Sequence, residues 1–250
     1  MKILIHLTVL IAVLLIPTGC AKRETWDYLV MGVMSRASMS FIPQQFAAHI
    51  QDELGVDVVI HEQERWEPKE ILENLRSNDD LRELVKNAEV VTFDFHLEFL
   101  NAPEAKYSSK LYGGDDNQDC LREALAVEKE NVAAILDLLA ELRAGSPVLL
   151  RVFIIDDHYY QFSLPNVPTP LVKPEVAEVL KIYYHDLQQF VEEEGQARGI
   201  IVVRALPDPY FQDSKPPAEW LDFIGHYTEA GSRVITDELV KLGLEMTVLK

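Results

Sequence analysis

Near the start of the chain, Trp26 to Ser40 form the segment WDYLVMGVMSRASMS. Within it, Tyr28 to Met31 is a short apolar run, which is typical of a strand buried on both faces. Gly32 interrupts the run, small and hydroxyl residues follow, and a helical pattern of apolar residues begins near Pro43. A strand, a tight turn and a helix at the start of an α/β domain often carry a nucleophile or a phosphate-binding loop. The segment therefore predicts an α/β domain with functional groups directly after its first strand.

The rest of the chain alternates between strand and helix patterns. Short apolar runs predict four more strands, at Val56–Ile60, Val90–Phe95, Val148–Ile155 and Ile200–Val203. Apolar residues at helical spacing predict helices from Pro43 to Leu54, from Pro68 through Val85 in two pieces, over Asp119–Arg143, from Pro174 to Gly199 and over Thr228–Leu242. Five strands that alternate with helices predict an α/β fold, in which helices cover both faces of a mostly parallel sheet.

The composition indicates one acidic globular domain. The chain has 250 residues, 48% of them hydrophobic, and residues 21–250 suffice for one α/β domain with a full core. Lys and Arg number 23 against 41 Asp and Glu, so the formal net charge is -18. A surface of this charge repels nucleic acid and anionic lipid headgroups, so neither is a predicted partner.

The first twenty residues resemble an export signal. The chain begins with the positively charged Met1-Lys2, and Ile3 to Ile16 is a mostly apolar run that is short for a membrane-spanning helix. The run ends in Pro17-Thr18-Gly19-Cys20, which resembles a bacterial lipobox, in which the cysteine is acylated and becomes the mature N-terminus. We therefore expect an exported protein that is held at the bacterial cell envelope only by lipid on Cys20. The alternative is an ordinary cleaved secretory signal with an incidental cysteine.

The chain has two cysteines, Cys20 and Cys120. If Cys20 carries lipid, Cys120 is expected to remain a thiol at the start of a helix. If Cys20 is retained without lipid, a Cys20–Cys120 disulfide is an alternative in an oxidising compartment. Neither cysteine has a second Cys or a His nearby at metal-site spacing, which argues against a zinc site through sulfur.

The segment around Gly32 resembles the first sequence block of the SGNH (GDSL-type) hydrolases, in which an aromatic-led strand runs into Gly-Asp-Ser. Aligned from Trp26 without a gap, Gly32 takes the place of the family's glycine, Val33 that of its aspartate and Met34 that of its nucleophilic serine. The resemblance implies a three-layer α/β/α sandwich with a flavodoxin-like, five-stranded sheet. It also implies a serine ester hydrolase of the esterase or lipase type in which the nucleophile position is altered.

The blocks that supply the oxyanion donors in this family are altered as well. The family places a glycine after the second strand, whereas no glycine occurs from Val56 to Tyr112. After the third strand the family carries Gly-x-Asn-Asp, and here His96 takes the place of the Gly and Glu98 that of the Asn. A carboxylate there would destabilise a developing oxyanion, whereas donors normally stabilise it by a few kcal/mol. These changes count against ester hydrolysis.

The last block of the family is Asp-x-x-His, shortly before the final helix, and it supplies the catalytic base and the group that orients it. Asp222 and His226 are the matching residues, and Thr228-Glu229-Ala230-Gly231 follows them. Asp222 lies four residues before His226, one more than the pattern has, and a loop can absorb the extra residue. The alternative for His226 is a residue at a helix entry without a chemical role.

Two other clusters contain residue types that bind metals. Asp94, His96 and Glu98 alternate, so an extended strand would place all three on one face. Asp156 to His158 follow the fourth strand, but neighbours in an extended chain point to opposite faces. We expect both clusters to be solvated strand ends, so no metal site is predicted. No Gly-x-Gly-x-x-Gly or P-loop pattern occurs, and no cofactor is predicted.

Two functions follow as hypotheses. In the first, the protein is an ester hydrolase in which Ser35 is the nucleophile, His226 the base and Asp222 the group that orients it. In the second, a protein of the same fold is catalytically inactive and binds a glycan or acyl ligand in the cleft where the family's hydrolases bind their substrate. In either case, the predicted ligand-binding residues are Gly32, Met34, His96 and Glu98. Because the family's strand order makes the first and third strands neighbours, we expect these residues near one another at the carboxyl edge of the sheet.

We predict that the mature protein begins at an acylated Cys20. Intact mass spectrometry of the membrane fraction should give the mass of residues 20–250 plus the lipid. The Cys20→Ser variant is the control, and it should gain no lipid mass. A wild-type mature chain that starts elsewhere, or one without added acyl mass, would contradict the prediction.

Overall fold

The computed structural model describes residues 23–32, 41–63, 67–95, 113–154, 174–205, 217–220 and 227–249. Gly32 and Asp94 are among the described residues. The other predicted site residues lie outside these ranges, and they are Cys20, Met34, Ser35, His96, Glu98, Asp222 and His226. The cluster at Asp156 to His158 also lies outside them.

Six strands form the described sheet: β1 (Thr25–Met31), β2 (Asp57–Gln63), β3 (Val90–Phe95), β4 (Pro147–Ile154), β5 (Ile201–Arg204) and β6 (Thr247–Val248). The first five are parallel in the order β2-β1-β3-β4-β5. This is the flavodoxin-like order, so the predicted fold class is confirmed. The sequence did not predict β6, which pairs antiparallel with the start of β4, because two residues carry no periodic pattern.

Six α-helices and one 3-10 helix accompany the sheet in the described residues. They are α1 (Phe41–Leu54), α2 (Pro68–Ser77), α3 (Asp79–Asn87), α4 (Asp119–Arg143), α5 (Pro174–Ala197), the 3-10 helix Ala218–Trp220 and α6 (Glu229–Lys241). The bounds of α4 match the predicted helix, and Asn78 separates α2 from α3 by accepting a hydrogen bond from the Leu81 amide at 3.1 Å. None of the described helices is long and apolar enough to cross a membrane.

The helices form two layers, one on each face of the sheet. On the first face, the Tyr28 ring of β1 packs edge-on against Phe46 of α1, with the ring centroids 6.0 Å apart. The helix α6 packs beside α1 in this layer. The other four helices, α2 to α5, contact one another in a chain and form the second layer. There Val202 of β5 lies directly against Gly195 of α5. The helices therefore cover both faces, as the alternating pattern predicts.

Glu128 is a buried carboxyl group in the middle of α4. The residue is only 5% exposed, and its Oε1 atom has no hydrogen-bond partner within the described part of the chain. Burial raises the pKa of Glu128 to about 8, and the carboxylate of Glu67, which precedes α2, acts in the same direction. A hydrogen bond with Asn131 opposes these effects. Glu128 is therefore mostly protonated at neutral pH.

We predict that Glu128 makes the protein less stable as the pH rises. The folded chain holds a proton there that the unfolded chain releases above the ordinary pKa of 4.5. The unfolding free energy should therefore fall between pH 4.5 and about 8. The Glu128→Gln variant cannot ionise, so its stability relative to the wild type should increase over this interval. Urea unfolding at about pH 5, 7 and 9 measures the difference.

The control is Glu123→Gln, which removes an exposed carboxylate from the same helix. Its stability relative to the wild type should change little with pH over the same interval. A Glu128→Gln difference that stays constant from acidic to alkaline pH would show that folding does not raise the pKa of Glu128.

Candidate functional site

The turn after β1 requires a glycine. Met31 pairs with Phe93 of β3, so the next residues, Gly32 and Asp94, lie side by side where β1 ends. Gly32 has a φ of 99°, and a Cβ atom on it would collide with the backbone oxygen and the side-chain carboxylate of Asp94. Any other residue here would push β1 and β3 apart. The predicted ligand-binding residue Gly32 is thus at the carboxyl edge of the sheet, between its two central strands.

A buried polar pair lies beneath this turn. The hydroxyl groups of Tyr28 and Thr92 are 3.0 Å apart and share a hydrogen bond. Burial raises the pKa of the Tyr28 phenol, and the nearby carboxylates of Asp94 and Glu62 act in the same direction. Tyr28 therefore stays protonated and supports the end of β3 from the side covered by α1. Asp94 itself is fully buried.

The starts of α1 and α6 are fastened together by the side chain of Gln45. Its Oε1 accepts a hydrogen bond from the Thr236 hydroxyl at 3.1 Å, and its Nε2 donates to the backbone oxygen of Glu229 at 3.5 Å. Glu229 is the first residue of α6, and Gln45 lies in the first turns of α1. The two helices that follow the predicted nucleophile block and the predicted Asp-His block therefore begin next to each other.

Hydrogen bonds join the residues directly before the Asp-His segment to the residues directly after it. The Thr228 amide donates to the Trp220 oxygen at 2.9 Å, and the Thr228 hydroxyl donates to the Glu219 oxygen at 2.6 Å. The same hydroxyl caps α6 by accepting from the Gly231 amide at 3.2 Å. A Cβ atom on Gly231 would collide with the Trp220 oxygen, which explains the glycine of the Thr-Glu-Ala-Gly sequence.

These contacts bring the flanks of both blocks to one edge of the sheet. In a parallel α/β fold the helices run against the strands, so their first residues lie at the carboxyl edge of the sheet. Gly32 ends β1 there, and Phe41 and Glu229 begin α1 and α6 there. Ser35 lies between Gly32 and Phe41 in the sequence, and His226 precedes the buried Tyr227. The roles of Ser35, Asp222 and His226 remain predictions.

The sequence alone did not reveal the roles of four residues that organise this edge. Gln45 and Thr236 are 191 positions apart, so no local pattern connects them. Thr228 carried a usable signal, because a threonine directly before an acidic first turn is a common helix cap. Gly231 is the last residue of the Thr-Glu-Ala-Gly sequence. Its close contact with Trp220 depends on the tertiary structure, so the sequence gives no sign of it.

A cavity of about 550 Å³ opens beside the start of α6. Its lining includes the carboxylates of Glu219, Glu229 and Asp237 and the cation of Arg233. Arg233 forms an ion pair with Glu229 at 3.7 Å. Within the described ranges, no group of three or more Asp, Glu, His or Cys side chains has an arrangement that would hold a metal ion.

No protein-family model and no curated protein matches this chain. Solved structures do match it over most of its length. A lipase from a goat rumen metagenome superposes with a TM-score of 0.63 and 18% identity, over 89% of this chain and 98% of that one. An extracellular lipase from Streptomyces rimosus gives a TM-score of 0.56 and 13% identity, over 87% and 99%. An acetyl xylan esterase gives 0.51 and 9%, over 87% and 99%.

The chain has the fold of the SGNH/GDSL hydrolases. In the SGNH/GDSL frame, β1 is the strand that leads into the nucleophile block, and β3 leads into the block of the oxyanion-binding asparagine. The predicted adjacency of these two strands is confirmed, since Tyr28 to Met31 pair with Val90 to Phe93. The positions of His96 and Glu98 beyond β3 lie outside the described residues.

We predict that Gly32→Ala lowers the unfolding free energy by about 2 kcal/mol or more, because the new methyl group combines an unfavourable φ with a collision against Asp94. Urea unfolding monitored by circular dichroism measures the loss. Gly55→Ala is the matched control, because Gly55 has a φ of 68° but nothing within 4 Å of its Cβ position. That variant should lose only about 1 kcal/mol. Equal losses in the two variants would mean that the contact with Asp94 is not restrictive.

Proposed function

We propose that this protein is of the ester-hydrolase type and binds a small-molecule ester or glycan at the carboxyl edge of its sheet, with an altered catalytic site. The observation that carries the proposal is the Gln45 contact with Thr236 and Glu229. It holds together the starts of the two helices that follow the nucleophile block and the Asp-His block. The glycine-only turn at Gly32 supports the same cleft. The lipase and esterase folds of the similar structures support an ester ligand.

If the protein turns over esters, Ser35 is the proposed nucleophile. Its hydroxyl would add to the ester carbonyl while His226 takes the proton, and Asp222 would hold the imidazole. The imidazolium would then protonate the leaving alcohol, and water would hydrolyse the acyl-serine by the reverse sequence of proton transfers. Ser35 lies one residue beyond the family's nucleophile position, where Met34 stands, so the turn after Gly32 must supply one extra residue.

The second candidate function is ligand binding without turnover. Two features of the sequence favour binding without turnover. Glu98 stands at the position of an oxyanion donor, and Met34 stands at the position of the nucleophile. A carboxylate repels the developing oxyanion, and a thioether cannot form an acyl intermediate. Neither residue belongs to the turn at Gly32 or to the contact between α1 and α6, so a cleft bordered by these two features could still bind an acyl or glycan ligand.

We also propose that the protein is exported and anchored by lipid on Cys20. The apolar run and the Gly19-Cys20 ending of the signal-like segment support this. An anchored protein of this kind would meet ligands outside the cytoplasm. The mass measurement predicted above tests the anchor independently of any activity.

We predict little or no esterase activity on p-nitrophenyl acetate, p-nitrophenyl butyrate and an acetylated xylo-oligosaccharide. Loss of the serine nucleophile from a triad costs roughly a millionfold in turnover, and the remainder depends on oxyanion donors that are also altered here. The rate of the purified protein should therefore be close to the uncatalysed rate. Calorimetric titration with the acetylated xylo-oligosaccharide and with its deacetylated form then tests the cleft as a binding site.

Three variants distinguish the outcomes. Robust turnover that Ser35→Ala and His226→Ala both abolish, but the exposed control Ser77→Ala does not, would contradict the predicted inactivity and establish the enzyme. Turnover that survives both substitutions would indicate a contaminant or an unrelated site. Absence of both turnover and ligand binding would refute the proposed function in both of its forms.

A further inference from the structure

A polar cavity lies between α5 and the end of β5. Its volume of about 490 Å³ is in the range of small-molecule sites, which is about 300–1,000 Å³. Six of its described lining residues belong to α5, and the seventh is Arg204, the last residue of β5. All seven are polar or charged. Because most small-molecule sites are lined mainly by apolar side chains, this lining suits an unusually polar molecule.

Gln188 contributes a buried amide to this lining. The residue is only 4% exposed, and no group in the described part of the chain is hydrogen-bonded to its Nε2. No described group is bonded to its Oε1 either. A half-turn of the terminal bond exchanges the two atoms, so the amide can offer the cavity a donor or an acceptor. Burial of an amide without a hydrogen bond costs free energy, which a ligand in the cavity would offset.

The carboxylates and the guanidinium of the lining are already bonded. Glu192 accepts hydrogen bonds from Arg204 Nε at 2.7 Å and from Arg204 Nη2 at 3.3 Å. Glu193 accepts one from Gln189 Nε2 at 2.8 Å. An anionic ligand would therefore meet a guanidinium that a carboxylate already neutralises, and a cationic ligand would meet carboxylates that already accept hydrogen bonds. A neutral ligand displaces none of these contacts.

Two glutamines of the lining can serve a neutral ligand. Gln188 and Gln196 lie eight positions apart on α5, which is about 12 Å along the helix axis. A side-chain amide both donates and accepts hydrogen bonds without carrying charge, and a hydroxyl group does the same. The lining therefore matches a neutral molecule that carries several hydroxyl groups along its length.

We propose that this cavity binds a neutral saccharide. The hydroxyl groups of the sugar would donate to the amide oxygens and accept from the amide nitrogens of Gln188 and Gln196, so Gln188 would gain the hydrogen bonds that it lacks. In the sheet order β3 and β4 separate β5 from β1, so the cavity lies three strand spacings, about 14 Å, across the sheet from the strand that ends at the Gly32 turn. This inference does not depend on the proposed ester site.

Isothermal titration calorimetry of the full chain with cellobiose, xylobiose and maltose tests the proposal. At least one of these neutral disaccharides should bind at a single site with a Kd of about 1 mM or lower. Its affinity should change by less than about twofold when salt is raised, because no charge pair forms. Succinate and putrescine are the charged controls. They should bind at least about tenfold more weakly, because the charged groups of the lining are already bonded.

Protein variants locate the site. Gln188→Met keeps the length of the side chain but removes its amide, so it should weaken sugar binding by about tenfold or more. Its melting temperature should be unchanged or higher, because the amide has no hydrogen bond within the described chain to lose. Gln44→Met is the matched control, since Gln44 is exposed on α1 and does not line the cavity. It should change the affinity by less than about twofold.

Several outcomes would overturn the proposal. Absence of binding for all three disaccharides, or equal binding of succinate or putrescine, would contradict a site for a neutral saccharide. Sugar binding that Gln188→Met leaves unchanged would belong to another place, such as the ester cleft, and would refute this cavity while the proposed function stands. A lower melting temperature of Gln188→Met would show that the amide already has a partner in the chain, which removes the basis of the inference.

Discussion

The parallel pairing of β1 with β3 is the contact on which the candidate site depends. It runs from Tyr28 and Val90 to Met31 and Phe93 and ends where Gly32 meets Asp94. From this pair the chain continues in opposite directions, because β2 lies beyond β1 and β4 lies beyond β3. The connections that leave the two strands therefore cross to different sides and open a crevice at the carboxyl edge. A side chain at position 32 would disturb this geometry, so the turn requires its glycine.

The fold and the chemistry of this chain are separable. The layers, the strand order and the contact between α1 and α6 are those of a hydrolase fold, and they are maintained by buried apolar residues and by Gln45, Thr236 and Thr228. None of these residues belongs to the predicted set of catalytic residues. The fold therefore does not depend on which side chains stand at the predicted nucleophile and oxyanion positions, since function depends on side chains placed on the scaffold and not on the scaffold itself.

The two outer strands of the sheet differ in how their edges are protected. β2 carries charged or titratable side chains at Asp57, His61 and Glu62, and His61 binds Asp27 of β1 at 2.8 Å. Such an edge discourages pairing with other chains. β5 has the sequence Ile-Val-Val-Arg and only one charged residue. Its outer edge is flanked instead by Glu192 of α5, which is paired with Arg204, and by Glu238 of α6, which is paired with Lys241.

The sequence by itself determined the α/β class, five of the six described strands, the approximate bounds of the helices and the turn at Gly32 after β1. These features depend on local periodicity and on turn chemistry, which a single chain displays directly. It also indicated which blocks lie at the carboxyl edge, because that follows from the strand order of the resembled fold. The tertiary structure alone decided that Gly32 touches Asp94, that Gln45 joins α1 to α6, that Glu128 is buried with a raised pKa, and that β6 pairs with β4. Each of these contacts joins residues distant in sequence, and their identity is fixed by register and packing, which leave no periodic signal along the chain.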